Sequence, residues 1–261
     1  MAADTTAIAI LSALSQEQDG LLAQLEGVER VVHAGREFFC GRLQGESVVL
    51  ALSRIGKVAA ATTAAALIER FAVRAIVFTG VAGGVGPGVR VGDLVLGSAY
   101  VQHDMDASPL FPRYQVPLTH TTVFAADALL LQAMQQACAQ AMAQRQYQQR
   151  PVQVHLGLIA SGDRFVNHAD EVAALLQGMA AHGLQPLAVE MEGDAVAQTC
   201  ADYGVPFVAV RTISDRADGT AHVDFLQFVQ TVASHYACDI VRQLLAQQAL
   251  KSIPARATLS L

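Results

Sequence analysis

The chain has 261 residues, of which 52% are hydrophobic, and this is enough for one large α/β domain with a continuous core. Its formal net charge is −6, with only two lysines, Lys57 and Lys251, and no basic run, so we expect no nucleic-acid partner. The prediction is a single domain over residues 1–261, with its core at about 7–246 and a loose tail at 247–261.

The first apolar run, Ala7–Leu14, predicts a strand. It is short, and Asp4 rather than a basic segment precedes it, so it does not resemble a signal peptide. No apolar run in the sequence reaches the roughly 20 residues that a membrane span needs. We therefore expect a cytoplasmic protein with no membrane partner.

Short β-branched or apolar runs alternate with longer segments of helical spacing along the whole chain. The predicted strands are Ala7–Leu14, Ser47–Leu52, Ala75–Thr79, Leu94–Tyr100, Val154–Ala160, Leu187–Met191 and Phe207–Ile213. The predicted helices are Gln18–Leu25, Ala59–Arg70, Ala125–Met142, Glu171–Met179, Asp194–Tyr203 and Phe225–Leu245. This alternation predicts a three-layer α/β/α fold around a mixed, mostly parallel twisted sheet.

The stretch Asp106–Thr121 is expected to be an irregular apolar loop. Its three prolines prevent regular structure, while apolar residues such as Leu110 and Phe111 require cover. The stretch is consistent with a subunit contact or a lid, and equally with a packed surface loop.

The four cysteines are far apart in the sequence and form neither a metal-ligand pair nor a compact disulfide framework. They are Cys40, Cys138, Cys200 and Cys238. We expect reduced thiols that serve mainly as buried packing residues, because no neighbour in the local sequence would activate one for catalysis.

Ligands of open parallel sheets bind beyond the carboxyl ends of the strands, so the residues that follow each strand are the first candidates. Glu17 follows the first strand, the glycine-rich segment Gly80–Gly84 follows the third, Glu192 the sixth and Asp215 the seventh. Three of these four segments therefore bring a carboxylate to the same edge of the sheet.

Each of these features also has a purely structural interpretation. The segment Gly80–Gly84 is consistent with a plain tight turn, because it lacks the spacing of a dinucleotide fingerprint or a P-loop. Strand alternation places Glu190 and Glu192 on one side of the chain, where they either bind something or lie at the surface. Asp215 could simply cap the next segment.

Seven motifs follow one another in order between about Ala7 and Leu245. They are SRIGKVAAATT (Ser53–Thr63), TGVAGG (Thr79–Gly84), VGDLV (Val91–Val95), HDMD (His103–Asp106), SGDRFV (Ser161–Val166), AVEMEGDAVA (Ala188–Ala197) and VPFVAVRTISDRAD (Val205–Asp218). Together they resemble the bacterial 5'-methylthioadenosine/S-adenosylhomocysteine nucleosidases of the nucleoside phosphorylase superfamily. The resemblance implies a nucleoside phosphorylase-like fold and hydrolysis of the N-glycosidic bond of a purine nucleoside, without a cofactor.

The resemblance also implies roles for three carboxylates. Glu17 matches the glutamate that activates water, and Asp215 matches the aspartate that protonates purine N7. Glu192 matches the glutamate that holds the ribose hydroxyls. Such a set suits the reaction, because loss of the purine passes through a cationic, oxocarbenium-like sugar that needs an acid at the base and a general base for water.

The remaining residues carried over by the resemblance would bind the substrate. Those expected around the adenine and ribose are Val81, Gly83, Phe165, Val166, Glu190, Met191, Arg211 and Ser214. Ile55 matches the pocket for the 5' substituent, to which Leu110 and Phe111 would contribute across the interface of a homodimer.

A purine nucleoside phosphorylase is the main alternative. That reaction needs cationic or strongly donating groups for phosphate, whereas Glu17 would repel phosphate and Phe78 stands where hexameric phosphorylases place an arginine. A catalytically silent nucleoside-binding protein is a further alternative, since a fold does not dictate function.

Two positions depart from the nucleosidase pattern. Val81 stands where many relatives have a serine, and Arg54 stands where a glycine is common. The arginine would engage an acidic 5' substituent or pair with a surface acid, which leaves methylthioadenosine, adenosylhomocysteine, 5'-deoxyadenosine and futalosine-like nucleosides open as substrates. We expect no metal site, because His103, His168 and His222 lack a metal-ligand spacing.

Overall fold

A ten-stranded mixed sheet forms the centre of the fold. The structure is a computed structural model, and it describes residues 7–216 and 225–254. The strands of this sheet are β1 (Ile8–Ser12), β2 (Glu26–His33), β3 (Arg36–Leu43), β4 (Glu46–Leu52), β5 (Ala75–Gly84), β6 (Leu94–Gln102), β7 (Phe124–Ala125), β10 (Val154–Ser161), β11 (Pro186–Glu190) and β12 (Phe207–Asp215). The short strands β8 (Gln146–Tyr147) and β9 (Arg150–Pro151) form a separate hairpin.

Helices cover both faces of the sheet. They are α1 (Ser15–Leu22), α2 (Lys57–Phe71), α3 (Ala128–Met142), α4 (Ala169–Ala180), α5 (Gly193–Tyr203), α6 (Phe225–Phe228), α7 (Ser234–Leu245) and α8 (Gln248–Lys251), with a π-helical turn at Val229–Ala233 between α6 and α7. Helices α2 and α5 pack on one core cluster and α1, α3 and α7 on another. The three-layer α/β arrangement predicted from the sequence is therefore confirmed.

The strands lie in the order β11-β10-β6-β12-β5-β1-β4-β3-β2, with β7 beside β6. Strand β1 is parallel to β4 and β5, and β5 is parallel to β12, so these strands end at one edge of the sheet. Strand β12 is antiparallel to β6, which makes the sheet mixed. Most long strands thus bring their carboxyl ends together, and that edge carries the site described below.

The sheet was expected to be open, but it closes on itself at one end. Strand β11 is parallel to β10 on one side, and on the other it pairs with the end of β5 through Ala188 and Gly84. Five strands, β5, β12, β6, β10 and β11, therefore form a closed ring of pairings.

The glycine-rich segment Gly80–Gly84 is the end of strand β5, so its interpretation as a turn was wrong. Neighbouring side chains explain why glycine is needed. A Cβ on Gly80 would lie 2.8 Å from Nη1 of Arg211, and one on Gly84 would lie 2.9 Å from Cγ2 of Ile213. The glycines thus let the strand continue beside β12 where any larger residue would collide with it.

Other differences concern the two ends of the sequence. The exposed antiparallel strands β2 and β3 were missed because they carry few buried residues. The predicted loose tail contains α8, and Leu250 and Ile253 are buried in the core. Arg74 helps to hold this end, because its Nη1 donates to the carbonyl oxygens of both residues, at 2.6 and 2.9 Å.

The proline-interrupted stretch Asp106–Thr121 has no regular helix or strand, as predicted, apart from one bridge between Val116 and Thr121. Leu110 and Leu118 are 83% and 82% exposed. Cys138 and Cys200 are buried as expected, whereas Cys40 and Cys238 are only partly buried. Within residues 7–216 and 225–254, no helix has the length and apolar character needed to cross a membrane.

Candidate active site

A cavity of about 180 Å³ lies at the carboxyl edge of the sheet. It is lined by Ala13, Leu14, Glu17, Ile55, Gly80, Val81, Ala82, Gly83, Arg164, Phe165, Val166, Val189, Glu190, Met191, Glu192, Arg211, Ser214, Asp215 and Phe225. Four of these residues are carboxylates that are less than 10% exposed to solvent. Buried carboxylates are costly unless they bind something, so this cavity is the candidate site.

Twelve of the fourteen residues predicted from the sequence meet in this cavity. They are Glu17, Ile55, Val81, Gly83, Phe165, Val166, Glu190, Met191, Glu192, Arg211, Ser214 and Asp215. Leu110 and Phe111 do not line the cavity of their own chain. Both residues were predicted to line the cavity of a second subunit, and this stays a prediction.

Glu17 lies in the first turn of α1 and is only 1% exposed. Its Oε2 accepts hydrogen bonds from the backbone N–H groups of Ala13 and Leu14, both at 2.9 Å, and its Oε1 accepts from that of Val81 at 3.2 Å. Burial raises the pKa of Glu17, while these donors and Arg211 oppose the rise by stabilising the anion. Val81 therefore contacts Glu17 through its backbone, independently of its side chain.

Glu190 and Arg211 form an ion pair in the wall of the cavity. Oε2 of Glu190 accepts from Nη2 of Arg211 at 2.6 Å, and Oε1 accepts from the hydroxyl of Ser161. The guanidinium of Arg211 also stacks on Phe78, with Cζ 3.9 Å from the ring centroid. Burial by itself would lower the pKa of Arg211, but the negative charges of Glu190 and Glu192 outweigh this effect, and the pKa of Arg211 is raised.

Glu192 is the residue immediately before α5, where it is 6% exposed. The prediction that strand alternation places Glu190 and Glu192 on one side of the chain was wrong, because β11 ends at Glu190 and Glu192 lies beyond it. Its Oε1 accepts from the backbone N–H of Gly56 at 2.9 Å. Burial, followed by the charge of Glu190, raises the pKa of Glu192 well above its ordinary value.

Asp215 is the last residue of β12 and is 7% exposed. The hydroxyl of Ser214 donates to its Oδ2 at 2.8 Å. Two backbone bonds fix the end of this strand: the N–H of Ile213 donates to the carbonyl of Asp93 and that of Gly92 donates to the carbonyl of Ile213, both at 2.8 Å. The carboxyl of Asp215 is therefore held on a rigid strand at the cavity wall.

The mouth of the cavity is apolar and more exposed. Ile55 is 59% exposed and Phe165 is 47% exposed, whereas Val166 is buried. Phe225 and Arg164 also line the cavity, and sequence reasoning missed both. Arg164 stands inside the recognised motif SGDRFV, and this was the signal available for it; nothing local marked Phe225, the first residue of a predicted helix.

Asp194 does not line the cavity, but it is a further buried carboxylate on α5 that sequence reasoning missed. It is completely buried in the first turn of α5, and its N–H donates to the hydroxyl of Ser161 at 2.8 Å. Neither of its carboxylate oxygens has a hydrogen-bond partner among the described residues. Burial raises the pKa of Asp194 to about 7, against a smaller opposite effect of Gln102.

His103, His168 and Arg54 lie outside the cavity lining. His103 is largely buried, and burial lowers its pKa, whereas His168 is exposed just before α4. His222 lies outside the described residues. Among the described residues, no three His, Cys, Asp or Glu side chains come together as ligands for a metal ion. Arg54 is exposed beside Ile55, and its Nη2 donates to the carbonyl of Gly35.

Comparison with known proteins identifies the class to which this fold and cavity belong. Residues 7–246 match the family model of the phosphorylase superfamily. A 5'-methylthioadenosine/S-adenosylhomocysteine nucleosidase of Geobacillus thermodenitrificans is 40% identical over 232 residues, which cover 88% of this chain and 92% of the relative. The chain belongs to the 5'-methylthioadenosine/S-adenosylhomocysteine nucleosidase family, whose members are hydrolases of the N-glycosidic bond.

Solved structures of the same family are similar over nearly their full length. The nucleosidase of Neisseria meningitidis in complex with methylthio-immucillin-A has a TM-score of 0.83 at 36% identity, covering 92% of this chain and 98% of that one. The nucleosidase of Colwellia psychrerythraea in complex with adenine also has a TM-score of 0.83, at 31% identity, covering 94% and 96%. The family and fold predicted from the motifs are thus confirmed.

Proposed function

We propose that this chain hydrolyses the N-glycosidic bond of 5'-methylthioadenosine and S-adenosylhomocysteine to adenine and the 5'-substituted ribose. 5'-Deoxyadenosine is a further candidate substrate. The observation that carries the proposal is the convergence of Glu17, Glu192 and Asp215 in one cavity. The names of the relatives support it, because nucleosidases of this type are 40% identical and span the same length.

In the proposed reaction, Asp215 donates a proton to N7 of the purine. The bond between C1' and N9 then breaks, and its electron pair moves into the purine, which leaves as neutral adenine. A water molecule adds its oxygen to the cationic C1', and Glu17 accepts the proton that the water loses. The raised pKa of Glu17 favours this role, since a carboxylate with a higher pKa is a stronger general base.

Glu192 has a different task in this mechanism. The positive charge that develops on the sugar favours the ionised form of Glu192 despite its raised pKa. Its carboxylate then accepts hydrogen bonds from the ribose hydroxyls, and its negative charge stabilises the oxocarbenium-like sugar. The bond from the N–H of Gly56 to its Oε1 leaves the other oxygen for the ribose. Arg211 supports this arrangement through Glu190, because their ion pair prevents a second uncompensated anion beside Glu192.

The aromatic and backbone groups at the mouth bind the base and the 5' substituent. Phe165 stacks on adenine, and the backbone of Val166 hydrogen-bonds to the edge of the base. Ile55 contacts the 5' substituent, and Leu110 and Phe111 of a second subunit complete that pocket in a homodimer. The 83% exposure of Leu110 supports this last point, because an apolar side chain so exposed gains cover in a subunit interface.

Electrostatics favour water over phosphate as the nucleophile. Among the described lining residues the cations are Arg164 and Arg211, and Arg211 is bound to Glu190. Nε of Arg164 is 2.7 Å from Glu171 at the surface. Because Glu17 is fixed by three N–H donors at the proposed attack site, a phosphate dianion there would meet a negative charge.

The test is release of free adenine from each nucleoside by the purified protein, with and without phosphate, analysed by liquid chromatography. Release independent of phosphate, with a free 5'-substituted ribose as co-product, is expected. A requirement for phosphate would replace the hydrolase by a phosphorylase, and no release with retained binding would indicate a silent nucleoside-binding protein. Light scattering at micromolar concentration tests the dimer, and a monomer would contradict it.

A cytoplasmic location is also proposed. The four cysteines are free in the structure, which suits a reducing compartment. Fractionation of the cells that express the chain tests this proposal.

A further inference from the structure

The two sides of the cavity mouth come from different parts of the chain. Gly56, which donates to Glu192, lies just before α2 and belongs to the ribose side. Phe165 and Val166 follow β10 and belong to the side proposed to bind adenine. The two segments are over 100 residues apart, so something other than local sequence must set the width between them.

Three residues, Lys57, Asp104 and Asp163, connect the two segments through a closed ring of hydrogen bonds. We call this set of residues the mouth ring. The backbone N–H of Lys57 donates to Oδ1 of Asp163 at 2.7 Å. The backbone N–H of Asp163 donates to Oδ2 of Asp104 at 2.9 Å. Nζ of Lys57 donates to Oδ1 of Asp104 at 2.6 Å, which closes the ring.

Each member of the mouth ring is adjacent to a part of the site. Lys57 directly follows Gly56, and Asp163 precedes Phe165 by two residues. Asp104 belongs to neither side, because it follows β6, yet both of its oxygens are used, one by each side. The carboxylate of Asp104 is thus a bridge between the ribose side and the base side.

Packing around the ring supports this bridging role. A Cβ on Gly162 would lie 2.4 Å from the ring of His103, so these two residues are in close contact. The N–H of His103 also donates to the carbonyl of Ser161 at 2.9 Å. Both contacts hold the start of the base-binding segment next to the segment that carries Asp104.

Lys57 compensates the charge of Asp104 within the ring. Lys57 and the N–H of Asp163 lower the pKa of Asp104, which keeps it ionised at neutral pH despite partial burial. Nζ of Lys57 also donates to Oε1 of Gln102 at 3.1 Å, and Nε2 of Gln102 donates to Oε1 of Gln198 on α5 at 3.0 Å. The ring is therefore anchored to the helix that follows Glu192.

We propose that Asp104 is a positioning residue that, through Lys57 and Asp163, sets the distance between the ribose side and the base side of the cavity. It touches neither the substrate nor a reacting atom in this proposal. The inference rests on the proposed function for the identity of the ligand, but the geometry of the ring stands without it.

We expect a substitution of Asp104 to weaken substrate binding and to change the rate of the chemical step little. The proposed acid and base, Asp215 and Glu17, are held by other contacts on β12 and α1, and the backbone N–H of Glu192 donates to Oε2 of Glu190 at 3.2 Å. All three therefore keep their positions when the ring opens. We therefore expect Asp104→Asn to raise KM for 5'-methylthioadenosine about tenfold, while kcat changes by less than about threefold. Asparagine keeps the size of the side chain but offers one acceptor in place of two.

A double-mutant cycle tests whether the effect acts through the ring. Lys57→Met removes the same closing bond, so Asp104→Asn and Lys57→Met combined should raise KM little more than either alone. Asp239→Asn is the matched control, because Asp239 also pairs with a cation, Arg145, its side chain is 31% exposed against 30% for Asp104, and it lies outside the cavity lining. It should leave KM and kcat unchanged.

Hydrogen exchange of the ligand-free protein supplies a second measurement that does not depend on activity. Asp104→Asn should speed exchange of the amides in residues 162–168, and Asp239→Asn should not. Unchanged exchange and unchanged KM would overturn the proposal, as would a fall in kcat at constant KM or additive effects in the cycle. If the wild-type protein released no adenine, the proposed function would fail, and the exchange result would still decide whether the ring holds the segment.

Discussion

Oε2 of Glu190 and Nη2 of Arg211 are 2.6 Å apart in an ion pair whose side chains are 2% and 1% exposed. The pair is central to the electrostatics of the site, because the guanidinium of Arg211 interacts with the charges of Glu190, Glu192 and Glu17. A buried ion pair contributes little net stability when intact, but removing one partner leaves an uncompensated charge that is costly to bury.

Glu190→Gln should therefore destabilise the protein strongly. We expect the free energy of unfolding to fall by about 3 kcal/mol, measured by urea denaturation at pH 7. The exposed pair of Arg30 and Glu37 provides the control, since Glu37→Gln should cost less than about 1 kcal/mol. Equal effects of the two substitutions would contradict this view of the buried pair.

Asp215→Asn should abolish the protonation step while leaving much of the ligand affinity. An amide cannot donate a proton to N7, so we expect kcat to fall by about a thousandfold or more. Adenine binding, measured by calorimetry, should weaken by less than about tenfold. A variant with near-wild-type kcat would remove Asp215 from the role of general acid.

Glu17→Gln tests the water-activating half of the mechanism. Glutamine fills the same space but cannot accept a proton, so kcat should fall by about 100- to 10,000-fold. KM should change little, because Glu17 is assigned to the water and not to the nucleoside. Gln16→Glu, at the half-exposed neighbouring position, controls for a change of charge in α1 and should leave kcat unchanged.

Asp194→Asn should stabilise the protein at alkaline pH. The pKa of Asp194 is raised to about 7 in the folded protein, so between about pH 4 and pH 7 the folded state keeps a proton that the unfolded state has lost. Its contribution therefore favours folding at low pH, weakens as the pH rises to about 7, and is fully unfavourable above that.

An asparagine carries no such proton and removes this dependence. We expect a gain of about 1 to 3 kcal/mol at pH 8.5 and almost none at pH 4, from chemical denaturation at both values. Asp202, exposed near the end of the same helix, is the control, and Asp202→Asn should give the same small change at both pH values. A loss of stability at pH 8.5 in Asp194→Asn would show that the charged form makes favourable contacts.

The sequence predicted the candidate residues of the site better than their surroundings. Glu192 lies two residues after β11 and Asp215 is the last residue of β12, within motifs that stand nearly intact, so the rule that ligands bind at the carboxyl ends of strands located both. Asp194 was missed because an acid in the first turn of a helix is usually an exposed dipole partner, and only the packing of α5 buries it.

The glycine-rich segment shows a second limit. Glycines after an apolar run favour a turn when the neighbours are unknown. Here Gly80 and Gly84 remain in a strand because side chains of β12 occupy the space that a Cβ would need. The partner of a strand is decided by tertiary contacts, and no local pattern in TGVAGG carries that information.

The pairing of β11 with the end of β5 has a consequence for how the cavity adapts to ligands. The end of β5 pairs with β12 on one side and with β11 on the other, so both sides of this glycine-rich segment are held by backbone pairing. The side chains of Ile55 and Phe165, at the rim, are by contrast largely exposed to solvent. We therefore expect different 5' substituents to be accommodated by rotamer changes of Ile55 and Phe165, within the width that the mouth ring sets, while the end of β5 keeps its position.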